Sequence, residues 1–271
     1  VSERKIRAGR NLPAAIAVGL ALGGLVLLTL LTVKATFLIV IAGILGVALW
    51  ELAHALSARR IELPVIPVAV GGAAMLALAY WRGAAALAAA LAVTFAVVLA
   101  WRLPGGQDGY LRDVTAGAFT LLYLPTLASF VALMLAQADG ARRVLLFVTL
   151  TVCSDTGGYF AGILVGRHLM APSISPKKTW EGLGGSVLLC LAAGALGMTL
   201  LLPGTAWGGL VLGAGAVTAA TLGDLAESMI KRDLDTKDMS SVLPGHGGVL
   251  DRIDSLLLVA PVAWLLMTAL L

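Results

Sequence analysis

The sequence has little charge. Only 13% of its 271 residues are Asp, Glu, Lys or Arg, whereas a soluble domain carries about 25%. With 59% apolar residues beside it, that shortfall excludes an ordinary water-soluble fold. Cysteine is scarce as well. Cys153 and Cys190 both lie in apolar runs, which excludes a disulfide framework and fits small buried packing residues. The three histidines, His54, His168 and His246, are far apart in sequence, so no His/Cys cluster for zinc is present. No internal repeat is evident, and the inverted-repeat signature of many transporters is missing with it.

What the chain does have is apolar sequence in runs of about 18–23 residues, the length of a membrane helix. The runs predict an all-α, polytopic integral membrane protein. Nine transmembrane helices are expected, over 13–31, 36–55, 64–81, 84–101, 114–136, 143–165, 182–203, 206–230 and 249–271. The basic residues Arg4, Lys5, Arg7 and Arg10 precede the first run, which lacks a small-residue cleavage pattern before a soluble domain. That run therefore reads as a retained helix and not as a signal peptide. Several spans are rich in Gly and Ala, which permits close helix packing. Pro125 is expected to kink the fifth span.

Lys and Arg set the orientation. With the N-terminus in the cytoplasm, fourteen of the nineteen fall on the cytoplasmic side, four fall outside, and Arg252 sits at a span entrance. This predicts a cytoplasmic N-terminus and puts loops 166–181 and 231–248 together in the cytoplasm. The acids divide the chain into two parts. Residues 1–140 carry no acid deep in a span, Glu51 lying near a span end, and read as a scaffold of lipid-facing helices. Residues 141–271 place Asp155, Asp224, Glu227, Asp251 and Asp254 in or at the edges of spans, and read as the catalytic part.

A carboxylate at the depth of Asp155 is costly in a membrane and marks a site or pathway; the plainer reading is a neutral Asp bridging helices through Ser154 or Thr156. Asp224 and Glu227 stand three apart on one helical face, and Lys231 follows Glu227 by four. Paired carboxylates suit a hard divalent cation, which takes oxygen ligands. For Glu227 a surface pair with Lys231 is the simpler alternative. Asp251 and Asp254 repeat the spacing at the start of the ninth span, where the helix dipole also favours acids. Asp224 and Asp251 are expected to face each other across a metal. The run Gly245-His246-Gly247-Gly248 can offer backbone N–H groups to an anion at a helix start. Lys177 and Lys178, beside Trp180, read as an interfacial anchor or as a phosphate-binding pair.

Taken together, residues 228–254 resemble the C-terminal signature of the CDP-diacylglycerol synthases, or phosphatidate cytidylyltransferases. That signature is Ser-x-apolar-Lys-Arg, four residues, Lys-Asp, then His-Gly-Gly-apolar-x-Asp-Arg-x-Asp, and the chain matches it throughout. Segments 154–162 (Ser-Asp-Thr-Gly-Gly-Tyr-Phe-Ala-Gly) and 175–182 (Ser-Pro-Lys-Lys-Thr-Trp-Glu-Gly) are similar to family segments in the same order.

The resemblance implies transfer of the cytidylyl group of CTP to phosphatidic acid, giving CDP-diacylglycerol and pyrophosphate in phospholipid biosynthesis. It implies Mg²⁺ held by Asp224 and Asp251, with Glu227 or Asp254 assisting and a second cation, K⁺ or Mg²⁺, nearby. Lys231, Arg232 and Lys237 would hold phosphates, and Lys177 and Lys178 the phosphatidate headgroup or pyrophosphate. Asp155 would join the catalytic set. Ser228, Asp238, His246, Gly247, Gly248 and Arg252 would complete the substrate contacts, with His246 positioning and not acting as a base. CTP, phosphatidic acid and the bilayer are the implied partners, without nucleic acid, and the assembly implied is a homodimer. The lipid stays in the bilayer while CTP arrives from the cytoplasm, so the site belongs at the cytoplasmic face of the cell membrane. Two other readings stay open at this point. One is a CTP-dependent lipid kinase of the polyprenol or phytol type, and the other is an ion-coupled transporter working through Asp155, Asp224 and Asp251.

Overall fold

In hydrocarbon every backbone N–H and C=O must be satisfied within its own segment, so apolar runs of this length fold as helices. The computed structural model describes residues 23–240, 242 and 247–271. Residues 23–31 are helical. The first expected span, 13–31, otherwise lies outside the described residues. There follow α1 (Lys34–Ser57), α2 (Val65–Arg82), α3 (Ala84–Arg102) and α4 (Tyr110–Leu121). A π-helical turn (Leu122–Thr126) leads into α5 (Leu127–Leu135) and then α6 (Gly140–Val165). Two short strands, β1 (Leu169–Ala171) and β2 (Ser175–Thr179), precede α7 (Trp180–Leu200), α8 (Ala206–Asp233) and α9 (Leu250–Leu270). Among the described residues, eight helical segments are long and apolar enough to cross a membrane, with α4, the π turn and α5 forming one of them.

The π turn has a local cause. Pro125 has no N–H to donate, and the ladder widens by one residue around it. Thr126 Oγ1 then donates to the carbonyl of Leu121 at 2.7 Å, and Ser129 Oγ to that of Pro125 at 2.7 Å. The expected kink is therefore a π bulge.

Helices α6, α7, α8 and α9 pack in succession. Glycines set their spacing. On the α6–α7 seam a Cβ on Gly157 would stand 2.5 Å from the carbonyl oxygen of Gly185. On the α8–α9 seam a Cβ on Gly223 would stand 2.7 Å from the carbonyl oxygen of Asp254. Lipid supplies no hydrophobic force between helices, so backbone-to-backbone approach of this kind is what holds such a bundle together. It also brings residues 154–158, 186, 224 and 254–255 close to one another.

Loops at one end of the bundle are tied across the chain. Arg59 on the α1–α2 connection pairs with Asp235 at 2.5 Å, and Arg232 Nε donates to the carbonyl of Ile174 at 3.4 Å. The fully buried Asp113 joins the same end. It accepts from Arg102 Nε and Arg112 Nε, each at 2.9 Å, and from the Glu62 amide at 3.1 Å. At the opposite end Lys34 Nζ donates to the carbonyls of Gln137 and Ala138, both at 2.9 Å, in the connection that follows α5. The connection expected as a plain loop over 166–181 is a β-hairpin, with Leu169 opposite Thr179 and Ala171 opposite Ser175. Thr179 ends it and caps α7, its side chain accepting from the Gly182 amide at 3.1 Å.

Candidate active site

A cavity of about 540 Å³ opens among α6, β1–β2, α7, α8 and α9, at the end of the bundle where the tied loops lie. Asp155 enters it from α6, ten residues before the helix ends. Asp224 enters from α8, nine residues before its end. At about 1.5 Å per residue, both acids sit roughly two to three turns in from the loops. The cavity therefore carries carboxylates well inside the helical layer.

Two charge groupings line it. In the first, Lys178 Nζ lies 2.5 Å from Asp224 Oδ2, and Ser228 Oγ donates to Asp224 Oδ1 at 3.3 Å. Asp155 and Asp254 lie within electrostatic range of Asp224 and of each other. In the second, Lys231 forms ion pairs with both Glu227 and Asp251, its Nζ reaching Asp251 Oδ1 at 2.9 Å. Glu227 is fully buried, and its carboxylate meets the Lys231 ammonium and stands against the Asp251 carboxyl. Two buried acids sharing one ammonium are costly. The surface-pair reading of Glu227 fails because the side chain is inside the protein.

Asp251 is well occupied. Beyond Lys231, its Oδ2 accepts from the Gly248 amide at 2.8 Å and the Met239 amide at 3.1 Å. Of the run 245–248 expected to offer N–H groups to an anion, Gly247 and Gly248 are among the described residues, and the Gly248 amide is the one that Asp251 takes. Just beyond that run, the Val249 and Leu250 amides donate to Glu51, both at 2.8 Å. Carboxylates of the chain itself thus take one amide of the run and the two that follow it.

Ten of the residues singled out in the sequence line this one cavity. They include Asp155, Lys177, Lys178, Asp224, Glu227 and Lys231, and the remainder are Asp238, Asp251, Arg252 and Asp254. Others stand beside it. Ser228 supports Asp224, Arg232 is bound to Ile174, Lys237 is exposed, and Gly247 (φ +86°) and Gly248 shape the turn into α9. His246 lies outside the described residues. Several lining side chains were not anticipated, among them Tyr159, Ser186, Thr221 and Ser255, while Ser154 was named only as a hydrogen-bonding neighbour of Asp155. Ser154 and Tyr159 lie within the family-like segment 154–162, which was a usable signal. Thr221, Ser186 and Ser255 are lone hydroxyls in apolar spans and carry none.

The donor set is hard oxygen throughout. Among the described residues no three His, Cys, Asp or Glu side chains gather as a ready metal cage. Carboxylate oxygens such as those of Asp224 and Asp251 are the kind of ligand that Mg²⁺ takes, commonly one or two together with substrate phosphates.

Residues 13–270 match the cytidylyltransferase family. The chain belongs to that family. A phosphatidate cytidylyltransferase of Mycobacterium leprae is 41% identical to it, over 97% of this chain and 90% of the relative. One from Mycobacterium tuberculosis is 38% identical over 97% of this chain and 84% of its own length, and one from Pseudomonas aeruginosa 35% identical over 93% and 94%. In this cytidylyltransferase-family member the three sequence segments that carry the resemblance, 154–162, 175–182 and 228–254, meet at a single cavity.

Proposed function

We propose that the protein is a membrane-embedded phosphatidate cytidylyltransferase, converting CTP and phosphatidic acid to CDP-diacylglycerol and pyrophosphate. The observation that carries this reading is the cavity itself, in which acids and cations from three distant segments converge inside the helical layer. A phosphatidate oxygen attacks the α-phosphorus of CTP, the bond from that phosphorus to the β-phosphate oxygen breaks, and pyrophosphate leaves. The attacking phosphate is already anionic, so no strong general base is required. What the reaction needs is positioning and neutralisation of charge.

Lys178 and Lys231 stand inside the cavity, and Lys177 and Arg252 line it. They supply cations for a triphosphate and a lipid phosphate. Asp224, with Asp155 and Asp254 near it, and Asp251 supply oxygen ligands for Mg²⁺. When bound, Mg²⁺ would neutralise triphosphate oxygens and ease departure of pyrophosphate. A second cation, K⁺ or Mg²⁺, would draw on Glu227 or Asp254. Residues 141–271 carry the chemistry in this reading, and 1–140 form the scaffold. The loops around the cavity then face the cytoplasm, the N-terminus lies on the same side, and the cell membrane is the site of action. The family resemblance adds a homodimer.

The test is pyrophosphate release from CTP in detergent micelles, with phosphatidate and polyprenol compared as acceptors. Phosphatidate-dependent release, abolished by EDTA and nearly abolished by Asp224→Asn, is the expected result. Release with polyprenol alone, or none with either lipid, would refute the reading.

A further inference from the structure

Glu51 belongs to α1, in the half of the chain read as scaffold, and it does not line the cavity. It is nevertheless fully buried, and its carboxylate binds two separate pieces of the catalytic half. Oε1 accepts from Ser240 Oγ at 2.5 Å and from the Val249 amide at 2.8 Å, while Oε2 accepts from the Leu250 amide at 2.8 Å. Ser240 lies before the segment 241–248 and the two amides lie after it. A single side chain thus joins both flanks of that segment to α1.

Its charge is in a favourable place. The first N–H groups of a helix have no partner within the helix and carry partial positive charge. Glu51 takes two of them on α9, and Asp251 takes the Gly248 amide just before them. The chain also makes room for both acids. A Cβ on Gly248 would stand 2.9 Å from Asp251 Oδ2 and 3.0 Å from Glu51 Oε2, so a side chain there would push the two carboxylates back from this turn. Asp251 directly follows Leu250, and Lys231 is bound to Asp251. The hold of Glu51 is therefore one residue away from the charge pair in the cavity.

We propose that Glu51 is a positioning residue for cytidylyl transfer: by bonding Ser240 and the first amides of α9 together, it keeps Asp251 and Lys231 in register with Asp224. This rests on the function proposed above. Gln at position 51 keeps the shape but replaces one acceptor oxygen with an NH₂ group, which would face N–H donors. One amide of α9 or the Ser240 hydroxyl then loses its acceptor.

The experiment compares the full-length parent, Glu51→Gln and Ser240→Ala in detergent. It measures kcat and KM for CTP, the melting temperature, and trypsin cleavage after Lys237. For Glu51→Gln the expected outcome is a fall in kcat of about 10–100-fold, the usual effect of losing such a supporting contact. KM for CTP should stay within about threefold, because Glu51 touches no substrate. Ser240→Ala should lower kcat in the same direction by less. Both variants should be cut faster after Lys237, well below their melting temperatures. Parental kcat in both variants overturns the proposal. So does unchanged cleavage after Lys237, or a fall in activity that only tracks lost folded protein. If Glu51→Gln does not fold, Ser240→Ala decides, and parental kcat with parental cleavage overturns the proposal. A parent that releases no pyrophosphate refutes the function instead, and the cleavage comparison still reports whether Glu51 holds the segment.

Discussion

Gly157→Ala adds one methyl group to the seam between α6 and α7, and its effect can be worked from the geometry. The new carbon would lie 2.5 Å from the carbonyl oxygen of Gly185 and 3.0 Å from Cα of Ser186. Ordinary contact begins at 3.4 Å, and the nearest atoms are backbone, which cannot rotate away. The two helices must therefore part by about 0.9 Å, since cores this dense have no slack to absorb the change. Asp155 lies two residues before Gly157 and moves with it. A displacement of about 1 Å at a reacting constellation costs on the order of 100-fold in rate. Stability should change much less. Overpacking costs about 1–3 kcal/mol, while replacing a helical Gly by Ala returns about 1 kcal/mol. The variant should stay folded and inserted but lose activity. Gly184→Ala is the control, on α7 with nothing within 4 Å of its new methyl, and should behave as the parent. Phosphatidate-dependent pyrophosphate release measures both. Activity of Gly157→Ala within about twofold of the parent would refute the claim that seam spacing positions Asp155.

Lys231→Ala removes the ammonium shared by Glu227 and Asp251, whose side chains are 1% and 6% exposed. It should cost about 3–5 kcal/mol as well as activity, because buried carboxylates lose their partner. A melting curve at parental temperature would contradict that. Asp113→Asn weakens the ties to Arg102, Arg112 and the Glu62 amide, which lie apart from the cavity. It should lower stability by about 2 kcal/mol, the scale of a hydrogen bond to a charged group. Turnover per folded molecule should be unchanged, and loss of turnover at full folding would count against this separation of roles.

Where the sequence was readable, the reason was contrast. Asp155, Asp224 and Asp251 stand out because carboxylates are rare among apolar residues, and all three line the cavity. Helix limits were readable too. Spans expected over 143–165 and 206–230 appear as Gly140–Val165 and Ala206–Asp233, differing only by terminal turns that polar residues extend. Contacts made at long sequence separation were not readable. Glu51 looks like an ordinary acid near a helix end, and its amide partners lie about 200 residues further on. The hairpin at 169–179 was hidden because Ser-Pro-Lys-Lys-Thr has no alternation of apolar and polar residues to mark a strand. Depth was also not readable for Glu227. Its spacing to Lys231 fits a surface pair equally well, and only packing against α9 shows it to be buried.

The ion pairs in the cavity bear on the order in which ligands arrive. Lys178 is matched by Asp224, and Lys231 by Glu227 and Asp251. A phosphate that takes Lys178 for itself strands Asp224, and a cation that takes Asp224 strands Lys178. Either ligand alone swaps one good partnership for another and leaves a charge over. A phosphate on Lys178 and a cation on Asp224 arriving together would exchange partners at that pair, and each would then raise the affinity for the other by the same factor. In the function proposed here, such pairing would favour a metal–nucleotide complex over either ligand alone.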